Sequence, residues 1–249
     1  MTAAVLAAGR RFLPHGWADF ARQLVIWFGF FFIYQLARGM ADRDPARAFS
    51  NGLKVIDIEQ HGNALFELSV QRINDSSRVL MTLTNWTYWL SQFTVLGLAL
   101  LWVYLRRHES FARFRNVVLL ANVIGLVGYV LLPTAPPRMF PGFGFVDTLA
   151  QFASLNHTSG IVQLAANPYA AMPSLHAADS LLVGLVMASV ARRWAVRLVW
   201  LAWPGWVAFS VLATGNHFWL DVMAGYFVAV IAAALIYRAP ARAFIAKLL

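Results

Sequence analysis

The recurrence of long apolar stretches separated by basic residues constrains this chain more than anything else in it. Six such stretches occur, near 23–38, within 82–105 and 116–134, and near 174–191, 196–214 and 217–237. A helix needs about 20 mostly apolar residues to cross a hydrocarbon core of about 30 Å. The first stretch, QLVIWFGFFFIYQLAR, is slightly short and reaches full length if Arg22 and Arg38 snorkel to the two interfaces. Pro204 falls inside the fifth and is expected to kink it. The chain is 60% hydrophobic and only 12% charged, which is outside the range of an ordinary soluble domain. The fold class is therefore all-α integral membrane. A six-transmembrane-helix bundle is expected, with 1–249 forming a single membrane domain.

The net charge of +9 reads as membrane orientation rather than nucleic-acid binding, because the basic residues cluster between apolar runs. Arg10, Arg11 and Arg22 precede the first run, and Arg106, Arg107, Arg113 and Arg115 separate the second from the third. Arg192, Arg193 and Arg197 separate the fourth from the fifth, and Arg238, Arg242 and Lys247 follow the sixth. With six crossings all four groups share one side, which the positive-inside tendency makes cytoplasmic. The chain is thus expected to be a multi-pass protein of the plasma (inner) membrane with both termini cytoplasmic. No cysteine is present, so disulfides and thiolate metal sites are excluded. No cleavage signal follows the first apolar run, which is expected to be an uncleaved anchor.

Segment 41–78 falls on the outer side. It mixes six acids with Arg43, Arg47, Lys54, Arg72 and Arg78. Phe49, Leu53 and Ile56 recur at helical spacing, as do Phe66, Val70 and Ile73, with Gly62-Asn63 between the two sets. Two short amphipathic helices are expected here, at the outer interface or capping the bundle. A soluble connector with no part in chemistry is the alternative. Trp86, Tyr88 and Trp89 fit an interfacial aromatic belt.

The same topology brings LPTAPPRM at 132–139, AMPSLH at 171–176 and TGNHFWLD at 214–221 to the outer face. His217 and Asp221 are four residues apart, which on a helix puts them on one side. The carboxylate can then fix the tautomer of the ring and leave its other nitrogen free as nucleophile or base. Alternatively, the two merely satisfy each other at a helix end. Pro173 suits a first helical turn, and Ser174 would sit among unpaired N–H groups that attract phosphate oxygens. His176 beside it can protonate a leaving oxygen; the plainer account has Ser174 as a cap and His176 facing water. Arg138, the sole basic residue of the two short outer loops, suits a phosphate or an interfacial anchor. Asp179, one turn inside the fourth run, can bond His176 or a cation.

Together these groups match phosphoryl transfer through a phosphohistidine. One imidazole attacks and a second protonates the departing oxygen, while arginine, serine and helix N–H groups hold the spreading charge. No Walker-type loop is present, PGFGF at 141–145 reads as a turn, and no metal or other cofactor is called for.

At this point the residues resemble a known family. PSLH at 173–176 looks like the P-S-G-H motif of the type 2 phosphatidic acid phosphatase superfamily, and SVLATGNHFWLD at 210–221 is similar to its S-R-x5-H-x3-D. The combination PTAPPR, AMPSLHAA and TGNHFWLD is similar to the branch containing inositol phosphorylceramide synthases. The motif region spans 130–225. The resemblance implies His217 as nucleophile, Asp221 as its orienting partner, His176 as general acid and Ser174 as phosphate ligand. It also implies a lipid phosphate substrate, hydrolysis or headgroup transfer to a polyol or lipid acceptor, and a site at the outer mouth. Two of the family's cations are missing: Val211 replaces the arginine of the third motif, and Leu131 stands where the first motif has lysine if Arg138 is its arginine. Arg72, Arg78 or Lys54 is expected to cover one role, with Asn216 and Thr214 supplying neutral hydrogen bonds. A transporter or a catalytically silent scaffold is the competing reading.

Overall fold

A computed structural model describes residues 13–40, 44–150 and 168–237. The expected orientation cations Arg10, Arg11, Arg238, Arg242 and Lys247 lie outside the described residues, as do 41–43 of the outer segment and 151–167 of the motif region. Apart from one isolated bridge between Thr134 and Ala170, the regular structure described is helical.

Helix α1 is Gly16–Met40, α2 Pro45–His61, α3 Glu67–Asp75, α4 Arg78–Leu90, α5 Leu96–Arg106 and α6 His108–Leu131. After two short 3-10 turns, α7 is Leu175–Val190, α8 Trp194–Ala213 and α9 Trp219–Tyr237. A π turn at Ser91–Val95 joins α4 and α5 into one continuous apolar helix, Arg78–Arg106. Five helices are long and apolar enough to cross a membrane: Gly16–Arg38, Arg78–Arg106, His108–Leu131, Trp194–Ala213 and Trp219–Tyr237. The protein is a multi-pass membrane protein.

Two boundaries differ from the sequence expectation. The first apolar helix starts at Gly16, so it needs no snorkelling arginine to reach spanning length. The fourth stretch forms only the 16 residues of α7, about 24 Å of helix at 1.5 Å per residue. It tolerates this because it is the innermost helix. Its residues from Leu175 to Ala188 are largely buried, and irregular backbone at membrane depth is stable where protein rather than lipid surrounds it. As expected, Pro204 lies inside α8, which continues through it. Gly184 of α7 lies against it, where a Cβ would come within 2.7 Å of the Trp200 carbonyl and 2.9 Å of the proline ring.

The outer segment does form two helices, but the burial of α3 inverts the amphipathic reading. Phe66 and Ile73 are exposed, while Glu67, Gln71 and Asn74 are buried. In α2, Leu53 is exposed and Glu59 is buried. Several polar side chains of the segment reach backbone partners. Gln71 Nε2 donates to the Val146 carbonyl at 2.8 Å, and its Oε1 accepts from Val146 N–H at 3.2 Å. From α2, Asn51 donates to the Pro133 carbonyl at 2.9 Å and Arg47 to that of Leu131 at 2.8 Å. The segment is docked on the end of the bundle, not strung loosely between two helices.

Candidate active site

The site lies at the end of the bundle where α1, α6 and α8 finish and α7 and α9 begin. Ser174 caps α7, its Oγ accepting from Ala177 N–H at 3.3 Å. Its own N–H donates to the Asp221 carbonyl at 2.9 Å, joining the starts of α7 and α9. Gly225, one turn into α9, makes this contact possible, because a Cβ there would sit 2.1 Å from the Ser174 carbonyl oxygen. Ser174 therefore acts as a helix cap and lies beside the site.

His217 is not on a helix. It precedes α9 by two residues, so the expected helical pairing with Asp221 gives way to a different arrangement. The His217 ring nitrogen Nδ1 is 2.9 Å from the Ala171 carbonyl and 3.6 Å from Asp221 Oδ2. A carbonyl only accepts, so Nδ1 carries the hydrogen and Nε2 keeps its lone pair. The stronger orienting contact is thus the Ala171 carbonyl. Asp221 is the third residue of α9, and its Oδ2 accepts from Phe218 N–H at 2.8 Å, the return half of a capping box. Burial holds the His217 pKa down to about 3, the charges of Arg138 and Arg38 adding to the effect. The ring is neutral at ordinary pH.

His176 sits across from it, with ring centroids 5.7 Å apart, and stacks on Tyr88 at 4.5 Å with the planes 20° apart. Tyr88 is therefore a wall of the site and not a member of an interfacial belt. Arg138 enters from the turn Pro137–Met139. Its Nη1 donates to Asn216 Oδ1 at 2.5 Å, its Nε lies 3.8 Å from Asp147 Oδ2, and its N–H donates to the Gly215 carbonyl at 2.9 Å. Asn216 Nδ2 in turn donates to Thr214 Oγ1 at 3.0 Å. Asn216 and Thr214 thus hold the guanidinium in place. Gly215 has φ +69°, and a Cβ there would come within 2.5 Å of the Val146 carbonyl, so only glycine closes this turn.

Other expected ligands lie elsewhere. Lys54, Arg72 and Arg78 are exposed, and Arg72 Nε donates to the Leu68 carbonyl of its own helix at 3.2 Å. Asp179 is buried deeper in α7, where Asn122 Nδ2 donates to it at 3.0 Å. Leu131, at the expected lysine position, is 61% exposed and points away from the site, whereas Val211 is fully buried. Among the described residues no group of three or more His, Cys, Asp or Glu is arranged to hold a metal ion.

Sequence reasoning missed Glu59 and Glu67, both fully buried. Glu67 Oε1 accepts from Trp219 N–H at 2.7 Å and Glu59 Oε1 from Leu220 N–H at 3.2 Å, the first two amides of α9. Their Oε2 atoms have no hydrogen-bond partner among the described residues, and the two carboxyl groups influence each other's ionisation. Burial, and next the charge of Glu67, pushes Glu59 up to about 9; burial likewise raises Glu67. The outer helices thus clamp the backbone that carries His217. A raised carboxyl stabilises the fold fully below its unfolded value and loses that contribution as pH rises through the folded one. Thermal stability in detergent is expected to decline between pH 5 and 9, and Glu59→Gln is expected to flatten that decline. Glu67→Leu strands the Trp219 amide and is expected to cost about 1–3 kcal/mol at every pH.

Paired imidazoles and a guanidinium thus stand together at one end of an apolar helical membrane bundle. The sequence model of the PAP2 superfamily matches residues 53–235, and the chain belongs to that superfamily. It is 30% identical over 133 residues to a phosphoinositol dihydroceramide synthase of Bacteroides thetaiotaomicron, covering 48% of this chain and 43% of the relative. The match thus spans less than half the length of that relative. The crystal structure of Aquifex aeolicus LpxE shares the fold, with a TM-score of 0.50 at 16% identity, over 68% of this chain and 93% of that one.

Proposed function

We propose that this protein is a membrane enzyme that takes the phosphoryl group of a lipid phosphate ester onto His217. The observation that carries this reading is the pairing of His217, its Nε2 unprotonated, with His176 at a centroid separation of 5.7 Å. Nε2 attacks phosphorus, the bond from phosphorus to the lipid oxygen breaks, and protonated His176 gives its proton to that oxygen. Arg138, held by Asn216, faces the charge on the equatorial oxygens. A hydroxyl then attacks the phosphohistidine, losing its proton to His176. Water as the attacking group makes the enzyme a phosphatase, and an alcohol makes it a transferase. The Bacteroides relative is named for making a phosphoinositol lipid, which favours transfer to a polyol or lipid acceptor.

The enzyme works as a single membrane unit in the inner membrane, with the site on the outer face and both termini cytoplasmic. In support, Arg106, Arg107, Arg192 and Arg193 lie at the bundle end opposite the histidines.

The test is incubation of purified protein with labelled lipid phosphates, with and without inositol and other polyols, followed by mass spectrometry. Release of free phosphate or formation of a new diester is expected. No turnover of any member of the panel would overturn the reading.

A further inference from the structure

Arg38 carries a buried nitrogen that no described residue satisfies. It lies in the last turn of α1, at the same end as the histidines. A snorkelling arginine keeps its polar atoms in water, yet Arg38 Nε is buried and has no hydrogen-bond acceptor among the described residues. Nor does it form an ion pair with any described carboxylate. Asp179, the acid deepest in the bundle, is bonded to Asn122 instead.

The surroundings of Arg38 are those of the site. Its charge is felt at His217 and at Arg138, and it stands within electrostatic reach of Tyr88, which stacks on His176. One turn earlier on the same face, Tyr34 is buried and hydrogen-bonded to Tyr129 of α6, which fixes how α1 is turned. Two guanidiniums thus stand within electrostatic reach of a neutral imidazole, with Asp147 3.8 Å from Arg138 and Asp221 3.6 Å from His217. Arg38 as a whole is half-buried, and leaving its buried Nε without an acceptor is unfavourable. A site with this excess of positive charge is built to be neutralised by an anion that arrives with the ligand.

We propose that Arg38 is a second cationic ligand of the substrate phosphate, supplied by α1. It takes up the role left open by Leu131, which points outward, and by Val211, which is apolar. This inference rests on the proposed phosphoryl chemistry for its substrate, though not for its charge argument. A guanidinium from α1 also gives that otherwise largely lipid-exposed helix a function.

The test compares wild type with Arg38→Gln and Arg38→Lys in detergent. Three readouts are used: kcat and KM on a short-chain lipid phosphate, thermal stabilisation by inorganic phosphate, and rescue by free guanidinium ion. Arg38→Gln is expected to lose about 100-fold in kcat/KM. It should also lose most of the phosphate-induced stabilisation and recover part of its activity in millimolar guanidinium. Arg38→Lys is expected to fall between, since it keeps the charge and loses the fork geometry. A structural role would respond to neither phosphate nor guanidinium. Wild-type kcat/KM and phosphate response in Arg38→Gln would overturn the proposal. If that variant does not fold, a wild-type phosphate response in Arg38→Lys does the same. If wild type turns over no lipid phosphate but binds inorganic phosphate in an Arg38-dependent way, the catalytic reading fails and the ligand assignment stands. If it does neither, both fail.

Discussion

His217→Ala is expected to lower turnover of a lipid phosphate by about 10,000-fold or more while the protein stays folded. The reason is specific to this nitrogen. The Ala171 carbonyl holds the hydrogen on Nδ1 and aims Nε2 outward, and no second unprotonated imidazole occupies that position. The ring packs at a loop before α9, and its removal leaves the capping contact of Phe218 and Asp221 intact. Stability in detergent should therefore change little. With its pKa at about 3, wild-type His217 is expected to stay in the attacking form down to about pH 4, so no acid limb between pH 5 and 7 should arise from it. Purified variant protein assayed with a labelled lipid phosphate is the check. Activity within ten-fold of wild type would remove His217 from the mechanism.

The second large effect concerns His176 and depends on the substrate. His176→Ala is expected to cost about 100- to 10,000-fold on a lipid monoester, whose alkoxide leaves poorly without a proton. On a lipid pyrophosphate the leaving group is already stable as an anion, and the loss should fall below about ten-fold. A series of substrates graded by leaving-group basicity reads this directly: the slope against basicity steepens in the variant if His176 is the acid. Equal losses across the series would mean that His176 only shapes the pocket with Tyr88.

Much of this site was legible in the sequence. His176, His217 and Arg138 stand out because ionisable groups next to apolar runs are costly and conspicuous. The alternation of basic and non-basic loops then brings their three segments to one end. The roles within the set were less visible. Asp221 was expected to hold His217, but the chain leaves helical geometry before residue 219, so the four-residue spacing no longer sets the contact. The tautomer is fixed by a backbone carbonyl, and any residue at position 171 would provide one. Lys54, Arg72 and Arg78 were plausible by charge and side, yet side alone does not fix direction, and their helices turn them outward.

What was hidden has a common character. Glu59 and Glu67 lie on short amphipathic helices where a carboxylate ordinarily reads as solvated, and only the packing of those helices onto the first amides of α9 makes them interior. Tyr88 reads as an interfacial aromatic until its ring is found against His176. Arg38 reads as an anchor until its Nε is found buried.

The sequence by itself determined that this is a helical membrane protein, roughly which stretches form its long helices, and which end carries the histidines. Transfer of apolar groups into lipid and the placement of charge are sums over neighbouring residues, so a linear reading captures them. Only the tertiary structure decided which groups grip His217, what holds Arg138 and which carboxyls clamp α9. Those contacts join residues far apart in the chain and depend on how each helix is turned about its own axis, and the turn of a helix is set by its packing partners.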